Sequence, residues 1–248
     1  MKVYPNAKLN LGLSIIGERP DGYHDIETLF VPYHGKTDEL EIDKSDRFET
    51  RIGGTWNEED DLTVKAYRML SAIHRLPPVR IRLLKGIPVG SGLGGGSSDA
   101  VCALKIYNEL FSLGYDDGKL LEFASKLGSD CPFFMYGRPM FGTGKGDELE
   151  PYDLDLSSYD IKVLVPESIR ISTAEAYEGV TPHEGMPLRE ALAMPIEQWK
   201  DVLVNDFEKN IFAKYPHLAK IKQSFYDKGA VYASMTGSGS AIFGIFRK

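Results

Sequence analysis

The segment from Gly90 to Gly96 constrains this chain more than any other, because five of its seven residues are glycine. Glycine has no Cβ, so it adopts positive φ values and lets another group approach its backbone. A helical pattern follows and ends near Phe111. A glycine loop entering a helix directs unpaired N–H groups to one point, where the helix dipole adds about half a positive charge. The segment therefore predicts a phosphate site. The alternative, a flexible turn, leaves the entropic cost of ordering five glycines unexplained.

The residues of the loop alone do not decide which phosphate ligand it binds. No Lys follows the glycines, so the GxxxxGK[ST] pattern of a Walker A loop is absent. Gly90, Gly92 and Gly95 have the GxGxxG spacing, but Glu109, near the offset where a dinucleotide site places its acidic residue, falls inside the helical pattern. The HRD and DFG tripeptides of protein kinases do not occur. A nicotinamide-dependent oxidoreductase stays open as an alternative at this point.

Charge and composition exclude several classes of protein. The 248 residues carry a net charge of −7, from 29 basic and 36 acidic side chains, which argues against a non-enzymatic RNA-binding module or another nucleic-acid partner. Cys102 and Cys131 are too few for a disulfide framework, so both are predicted to be reduced and buried. No apolar run reaches the ~18 residues of a membrane helix, and polar residues interrupt the N-terminus. We expect a cytoplasmic protein.

Alternating and helical patterns predict a chain of mixed strands and helices. Residues 7–13 alternate strictly, which places Leu9 and Leu11 on the core face of a strand and Lys8 and Asn10 on the other face. Further strands are predicted over 26–33, 40–42, 48–52, 79–83, 160–165, 231–235 and 241–246, with a turn at 142–147. Helices are predicted over 61–75, 117–127, 173–177, 188–193, 196–215 and 216–227. Gly128 is predicted to take the left-handed position after its helix, and Ser97 or Ser98 to cap the helix after the glycine loop.

Three segments, in order along the chain, resemble the GHMP kinases, which are the small-molecule kinases related to galactokinase, homoserine kinase, mevalonate kinase and phosphomevalonate kinase. The first is Ala7-Lys8-Leu9-Asn10-Leu11, the second is the glycine loop from Pro88 to Ser98, and the third runs from Met235 to Ala241. The segments Asp21-Gly22-Tyr23-His24 and Gly128-Ser129-Asp130-Cys131-Pro132-Phe133 narrow the resemblance to the branch whose substrate is a cytidine diphosphate methylerythritol.

The resemblance implies an α+β, two-domain GHMP-kinase fold. Its N-terminal ATP-binding and catalytic domain, expected over 1–155, is similar to ribosomal protein S5 domain 2, and its C-terminal domain, expected over 156–248, is ferredoxin-like. The implied reaction moves the γ-phosphoryl of ATP, with Mg²⁺, to the 2-hydroxyl of the cytidine-linked methylerythritol in the non-mevalonate route to isoprenoid precursors. Mevalonate, homoserine or sugar acceptors remain alternatives. A monomer or weak homodimer is expected.

Asp130 and Lys8 match the catalytic positions of this family. The reaction needs a carboxylate that accepts the hydroxyl proton, and a cation beside it would keep that carboxylate ionised. Each residue also has a simpler interpretation: Asp130 as the N-cap of the helix that Pro132 opens, and Lys8 as a solvated strand lysine.

The remaining candidate residues divide into two groups. The resemblance assigns ATP binding to the loop and to a lysine before it: Lys85, Pro88, Val89, Gly90, Ser91, Gly92, Leu93, Gly94, Gly95, Gly96, Ser97 and Ser98. The hydroxyls of Ser97 and Ser98 are also candidates for Mg²⁺ or a phosphate oxygen. Substrate contacts are assigned, together with Asp130, to Asn10, Tyr23, His24, Thr173, Tyr177, Thr236 and Gly237. Aromatic rings can stack on a base and His can hydrogen-bond its edge, while simple packing is the alternative for the tyrosines.

The chain departs from the family pattern in two places. Family members often have Asp-Asn-Leu where this chain has Asp60-Asp61-Leu62, which puts a contact between Asp61 and the nucleotide base in doubt. The sequence ends at Lys248 directly after its last predicted strand, where relatives continue. We therefore expect the C-terminal sheet to have an exposed edge or one covered by a partner.

Overall fold

The chain forms two compact units, each assembled from separate segments. The structure, a computed structural model, describes residues 1–53 and 57–248. The first unit comprises Met1–Ala7, Pro32–Val89 and Gly94–Gly137, and the second comprises Lys8–Val31, Gly90–Leu93 and Arg138–Lys248.

Runs of strands and runs of helices follow one another along the chain, and most strand pairs are antiparallel, which confirms the predicted α+β class. The strands are β1 (Lys2–Val3), β2 (Asn6–Glu18), β3 (His24–Thr37), β4 (Glu39–Lys44), β5 (Glu49–Ile52), β6 (Val79–Leu84), β7 (Met140–Thr143), β8 (Glu148–Pro151), β9 (Tyr159–Leu164), β10 (Tyr232–Met235) and β11 (Ile242–Arg247). The helices are α1 (Leu62–His74), α2 (Gly95–Leu110), α3 (Asp117–Leu127), α4 (Cys131–Tyr136), α5 (Thr173–Tyr177), α6 (Leu188–Ala193), α7 (Trp199–Val202), α8 (Phe207–Lys214) and α9 (Pro216–Asp227).

A four-stranded sheet in the order β1-β4-β6-β5 supports the first unit. Strand β4 is antiparallel to β1 and β6, whereas β5 runs parallel to β6. The alternation over 79–83 decides which face is covered, because successive side chains point to opposite faces of a strand. Ile81 and Leu83 are buried, while Arg80 and Arg82 form ion pairs with carboxylates of the neighbouring strands.

The covered face of this sheet packs with α1, α2 and α3 in one apolar core. Leu104 and Tyr107 of α2 and Phe123 of α3 are almost fully buried there. Local signals set the helix starts: the side chain of Asp61 caps α1 by accepting a hydrogen bond from Thr63 N, and Asp116 caps α3 by accepting one from Lys119 N. The predicted helices over 61–75 and 117–127 are confirmed. The left-handed position predicted for Gly128 is wrong, because that residue is extended with φ 174°.

Two sheets belong to the second unit. One has the order β2-β3-β7-β8, and in the other β11 lies between β10 and β9 and is antiparallel to both. The predicted turn at 142–147 joins β7 to β8, where Gly144 and Gly146 have φ values of 62° and 86°. The predicted short helix over 173–177 is α5, and the side chain of Ser172 caps it by accepting a hydrogen bond from Glu175 N at 3.1 Å.

The long helix predicted over 196–215 is wrong, because the chain is broken by pairing with β2. A 3₁₀ turn (Ile196–Gln198) leads into α7, the backbone becomes extended at Leu203, and α8 begins only at Phe207. In between, Leu13 N donates to Val204 O and Asp206 N donates to Leu13 O, both at 2.9 Å. These two bonds compete with the helical bonds that the apolar periodicity suggested, and periodicity carries no information about such a distant partner.

Chain segments alternate between the two compact units, so neither unit is a continuous stretch of sequence. The predicted boundary near residue 155 divides the sequence into two continuous domains, 1–155 and 156–248, and this division stays a prediction.

The two cysteines differ in burial, and the helices of the described residues are short or polar. Both cysteines are free thiols; Cys131 is buried, whereas Cys102 is only partly buried. Burial raises the pKa of the Cys131 thiol to about 12 and that of Cys102 to about 11, which keeps both protonated at neutral pH. Across residues 1–53 and 57–248, no helix is both long enough and apolar enough to cross a bilayer.

We expect Leu104→Ala to lower the free energy of unfolding by about 2–5 kcal/mol, because it opens a cavity between α2 and its neighbours. Leu84→Ala is the matched control, since Leu84 is 67% exposed, and it should cost less than about 0.5 kcal/mol. Urea unfolding of both variants measures the difference. Equal losses would contradict the position assigned to the core.

Candidate active site

The glycine loop adopts the conformation that its composition predicts. Gly90, Gly92 and Gly94 have φ values of 68°, 77° and 72°, a region that other residues rarely enter. Gly94 is the N-cap of α2, and this residue has no side chain with which to cap the helix. The cap predicted from Ser97 or Ser98 is therefore wrong: α2 already begins at Gly95, and Ser98 N bonds within the helix to Gly94 O at 3.0 Å. The three preceding amides of α2 lack intrahelical acceptors, which is the arrangement that attracts an anion.

Residues 90–93, which belong to the second unit, are held by β2 and by the segment after β10. Lys8 N donates to Leu93 O at 2.9 Å, and Ala241 N donates to Ser91 O at 3.0 Å. A Cβ at Gly92 would collide with the carbonyl oxygen of Thr236. Glycine is needed at position 92 for close backbone approach as well as for its positive φ.

Lys8 and Asn10 are both buried on β2, with 3% and 2% of their surfaces exposed. The Lys8 ammonium donates to Asn10 Oδ1 at 2.6 Å and lies 5.4 Å from the centre of the Phe30 ring. The Asn10 amide in turn donates to Thr28 Oγ1 at 3.0 Å. The interpretation of Lys8 as a solvated strand lysine is wrong. Thr28 was missed by sequence reasoning, because nothing in its own segment distinguishes it from any other strand threonine.

Thr236 and Gly237 complete this cluster from the other end of the chain. Asn10 N donates to Thr236 Oγ1 at 2.9 Å, and that hydroxyl is 3.2 Å from Asn10 Oδ1. A Cβ on Gly237 would stand 3.3 Å from both Lys8 Nζ and Asn10 Oδ1. The structure thus brings together four predicted residues, Lys8, Asn10, Thr236 and Gly237, around one ammonium group.

Two of the predicted substrate aromatics, His24 and Tyr177, also meet in the second unit. The rings of His24 and Tyr177 are stacked with centroids 4.7 Å apart, and the rings of Tyr177 and Phe207 are nearly perpendicular with centroids 4.8 Å apart. Tyr23 is 61% exposed, and the Lys145 ammonium lies 5.0 Å from its ring centre. Thr173 is exposed at the first position of α5. Flat, partly accessible rings of this kind can stack on a nucleobase.

Lys85, predicted to contact the nucleotide, is instead engaged with two buried carboxylates of the first unit. Its ammonium pairs with Asp38 and donates to Asp99 Oδ2 at 2.6 Å. Asp38 Oδ1 also accepts from Gly86 N and Ile87 N, both at 2.7 Å, which fixes the turn after β6. Asp38 and Asp99 were missed because each reads as an ordinary polar residue next to a strand or within a helix.

This cluster contains two carboxyl groups and only one ammonium. The carboxyl group that is less well stabilised as an anion is that of Asp99. Its Oδ1 is buried and has no hydrogen-bond partner among residues 1–53 and 57–248, whereas Asp38 accepts two backbone N–H bonds. Burial raises the pKa of Asp99 to about 8, against the opposing attraction of Lys85. Burial lowers the pKa of Lys85, but the two carboxylates outweigh it and the net shift is upward.

Asp130 precedes α4 at the N-cap position, yet its carboxylate does not cap the helix. Its backbone is helical, with φ −81° and ψ −15°, whereas a capping residue is usually extended. The capping role is therefore wrong, and Asp130 is half-buried at this helix start. Asp61, by contrast, does cap its helix, accepting from Thr63 N and Oγ1 at 2.9 and 2.6 Å.

Comparisons with known proteins agree with the motifs. The family model for the GHMP kinases N terminal domain matches residues 61–138, and the model for GHMP kinases C terminal matches residues 188–248. The chain is 44% identical over 252 residues to the 4-diphosphocytidyl-2-C-methyl-D-erythritol kinase of Parabacteroides distasonis, covering 100% of this chain and 92% of that protein. It is 45% identical over 254 residues to the protein of the same name from Bacteroides fragilis, covering 99% and 92%.

Solved structures extend the agreement to the fold. A crystal structure of 4-(cytidine 5'-diphospho)-2C-methyl-D-erythritol kinase matches with a TM-score of 0.82 and 33% identity, over 99% of this chain and 90% of the other. A mevalonate kinase at 13% identity shares the fold, with a TM-score of 0.73 over 100% and 91% of the two chains. The chain therefore belongs to the GHMP kinases and, within them, to the family of 4-diphosphocytidyl-2-C-methyl-D-erythritol kinases.

The raised pKa of Asp99 predicts a pH-dependent stability. Between its usual value of 3.8 and the folded value of about 8, the folded carboxyl holds a proton that the unfolded chain releases. Its contribution to stability is therefore complete below the lower value and is lost as pH rises through the upper one. We expect Asp99→Asn to remove the pH-dependent part of the free energy of unfolding that Asp99 contributes. The urea midpoints at about pH 5.5 and about pH 8.5 should then differ less than in the unmodified protein.

Asp155→Asn is the control for this titration, since hydrogen bonds from Ser157 hold the pKa of Asp155 below its usual range. That carboxyl is ionised at both pH values, so its loss should leave the pH dependence unchanged. An Asp99→Asn variant with the original pH dependence would show that Asp99 does not titrate in this interval.

Proposed function

We propose that this protein transfers the γ-phosphoryl group of ATP to the 2-hydroxyl of 4-(cytidine 5'-diphospho)-2-C-methyl-D-erythritol, giving the 2-phosphate and ADP. The observation that carries this proposal is identity of 43–45% along nearly the whole chain to several proteins named as this kinase. The buried cluster around Lys8, the glycine loop and Asp130 supply the groups that such a reaction needs.

Asp130 is proposed to accept the proton of the substrate hydroxyl as the new P–O bond forms and the bond to the ADP oxygen breaks. Asp130 is half-buried at the start of α4. The Lys8 ammonium is proposed to stabilise the negative charge of the reacting groups, as fixed cations do in phosphoryl transfer. Its bond to Asn10 at 2.6 Å restricts where that charge lies.

The glycine loop is proposed to hold the triphosphate through the backbone amides at the start of α2. Among the described residues, no three His, Cys, Asp or Glu side chains cluster as a metal site. Mg²⁺ is proposed to arrive bound to ATP. In such sites Mg²⁺ keeps several waters and binds through the phosphates and one or two protein oxygens. The half-buried Ser97 and Asp130 offer such oxygens, and the ion would neutralise phosphate charge.

The cytosine end of the substrate is proposed to bind beside His24 and Tyr177, with Tyr23 and Thr173 as further contacts. The stacked arrangement of His24 and Tyr177 at 4.7 Å provides a flat aromatic surface, and a nucleobase can stack on such a surface.

The oxidoreductase alternative loses its remaining basis in the structure. Glu109 lies within α2, near its C-terminal end, and not at the end of a strand, where a dinucleotide site places its acidic residue.

We expect Asp130→Asn to lower kcat by about 10²–10⁴-fold while ATP still raises the Tm, because only the proton acceptor is removed. Steady-state ADP release and a thermal-shift titration with ATP measure the two effects. Asp117→Asn is the matched control, since Asp117 is an exposed carboxylate in the first turn of α3. Unchanged turnover in Asp130→Asn would remove Asp130 from the proposed mechanism.

A panel of hydroxyl acceptors tests the proposed substrate separately. With ATP and Mg²⁺ present, ADP release should occur with the cytidine diphosphate methylerythritol and remain at background with mevalonate, homoserine and galactose. Replacing ATP by NADH in the thermal-shift titration should give no stabilisation. Faster turnover of mevalonate, homoserine or galactose would refute the proposed acceptor while leaving the kinase family intact.

A further inference from the structure

Asn205 is buried in the second unit at the break between α7 and α8, and its position is fixed by β2. Only 2% of its surface is exposed. The residues on either side of it are tied to Leu13: Leu13 N donates to Val204 O, and Asp206 N donates to Leu13 O. The side chain of Asp206 adds a third hydrogen bond to β2, since its Oδ2 accepts from Ile15 N at 2.8 Å. Asn205 therefore projects from a rigid backbone.

The side-chain amide of Asn205 is fully used in hydrogen bonds to backbone. Its Nδ2 donates one hydrogen to Met235 O and the other to Gly237 O, each at 2.9 Å. Its Oδ1 accepts from Phe207 N at 3.1 Å, which fixes which end of the amide faces the two carbonyls. Both carbonyls flank Thr236, so one side chain holds the backbone on either side of this residue.

The segment that Asn205 holds is the one that surrounds the Lys8 ammonium. Thr236 Oγ1 accepts from Asn10 N at 2.9 Å, and Asn10 Oδ1 accepts from Lys8 Nζ at 2.6 Å. The Cα of Gly237 lies so close that an added Cβ would be 3.3 Å from Lys8 Nζ. A small rotation of the peptides at 235–237 would therefore change the room and the hydrogen bonds available to this ammonium.

Glu208 holds β10, the strand that leads into residues 235–237. Its contribution therefore differs from that of Asn205, which holds residues 235–237 themselves. Glu208 Oε1 accepts from Met235 N at 2.7 Å and from Ser234 Oγ at 2.9 Å, while Oε2 pairs with Lys222 at 2.5 Å. These bonds hold β10 before the turn. The carbonyls of Met235 and Gly237 point to Asn205.

We propose that Asn205 is a positioning residue for phosphoryl transfer, which holds the 235–237 backbone so that Asn10 and Gly237 place the Lys8 ammonium. This inference rests on the proposed catalytic role of Lys8. Asn205 itself is assigned no contact with ATP or with the acceptor; it acts through the two hydrogen bonds that its side chain donates to the carbonyls of Met235 and Gly237.

Asn205→Asp is the sharpest test, because Asp has the same shape but presents an acceptor to two carbonyl oxygens. We expect kcat to fall by about 10–100-fold, as a small misplacement of a reacting group can cause. KM for ATP should stay within about threefold, because uniform binding of the nucleotide is not altered. A loss confined to KM, or no change in kcat, would overturn the inference.

Asn108→Asp is the matched control for the chemical change. Asn108 Nδ2 donates to Tyr115 O at 2.9 Å and its Oδ1 accepts from Tyr115 N at 3.0 Å, so it too ties backbone with both ends of its amide. This variant should lower the Tm and leave kcat unchanged. An equal loss of kcat in both variants would mean that general destabilisation explains the effect of Asn205→Asp, and would overturn the inference.

A double-mutant cycle with Lys8→Met separates positioning from structure. If Asn205 acts through Lys8, Asn205→Asp should lower kcat in the unmodified protein but not in the Lys8→Met background, where the ammonium is already gone. The same fold-loss in both backgrounds would overturn the inference. Should Asn205→Asp not fold, Asn205→Ser enters the same cycle, since it removes both donated bonds without adding a charge.

The cycle also distinguishes a failure of the proposed role of Lys8 from a failure of the inference about Asn205. A Lys8→Met variant with normal kcat would refute the proposed role of Lys8, and the inference about Asn205 with it. A strongly impaired Lys8→Met variant, in which Asn205→Asp causes its full loss again, would refute the inference about Asn205 alone.

Discussion

An ammonium group removed from water must be hydrogen-bonded, and this requirement organises the second unit around Lys8. Burial of an unpaired charge costs several kcal/mol, so the surrounding groups are placed to receive its hydrogens. Asn10 accepts one of them at 2.6 Å, and Asn10 is in turn held by Thr28 and by Thr236. The N-terminal strand and the C-terminal turn thus converge on one side chain. A cation fixed in this way is suited to chemistry on a phosphate group, because it needs little rearrangement when negative charge develops.

Glycine is used in this unit where two backbone segments meet with no space for a side chain. A side chain at Gly92 would overlap the carbonyl of Thr236, and one at Gly237 would press on the Lys8 ammonium. The first of these glycines belongs to the loop that the composition emphasises, and the second belongs to a short turn that composition does not distinguish. Both positions require glycine because of tertiary contacts, since each glycine lies against the chain segment that contains the other.

The first unit shows how burial changes the meaning of a charged residue. Lys85 reads as an exposed lysine before a phosphate loop, yet its ammonium pairs with both Asp38 and Asp99 near the start of α2. Without that lysine, two carboxylates would lie close to the helix end that is proposed to attract phosphate. The same helix begins after Gly94, a residue that has no side chain with which to cap the first amides.

Local signals in the sequence, which are strand alternation, helix caps and glycine spacing, determined most element bounds, whereas the resemblance of its motifs to the GHMP kinases pointed to the α+β class, the family and the candidate residues Lys8, Asn10, Thr236 and Gly237. Periodicity failed at 196–215, where hydrogen bonds to Leu13 replace the bonds of a continuous helix. Only the tertiary structure decided that Lys8 is buried, that Asp130 does not cap α4 and that Asn205 supports the turn at 235–237. Each of these depends on which distant segment supplies a donor, an acceptor or a covering surface, and no local pattern encodes that partner.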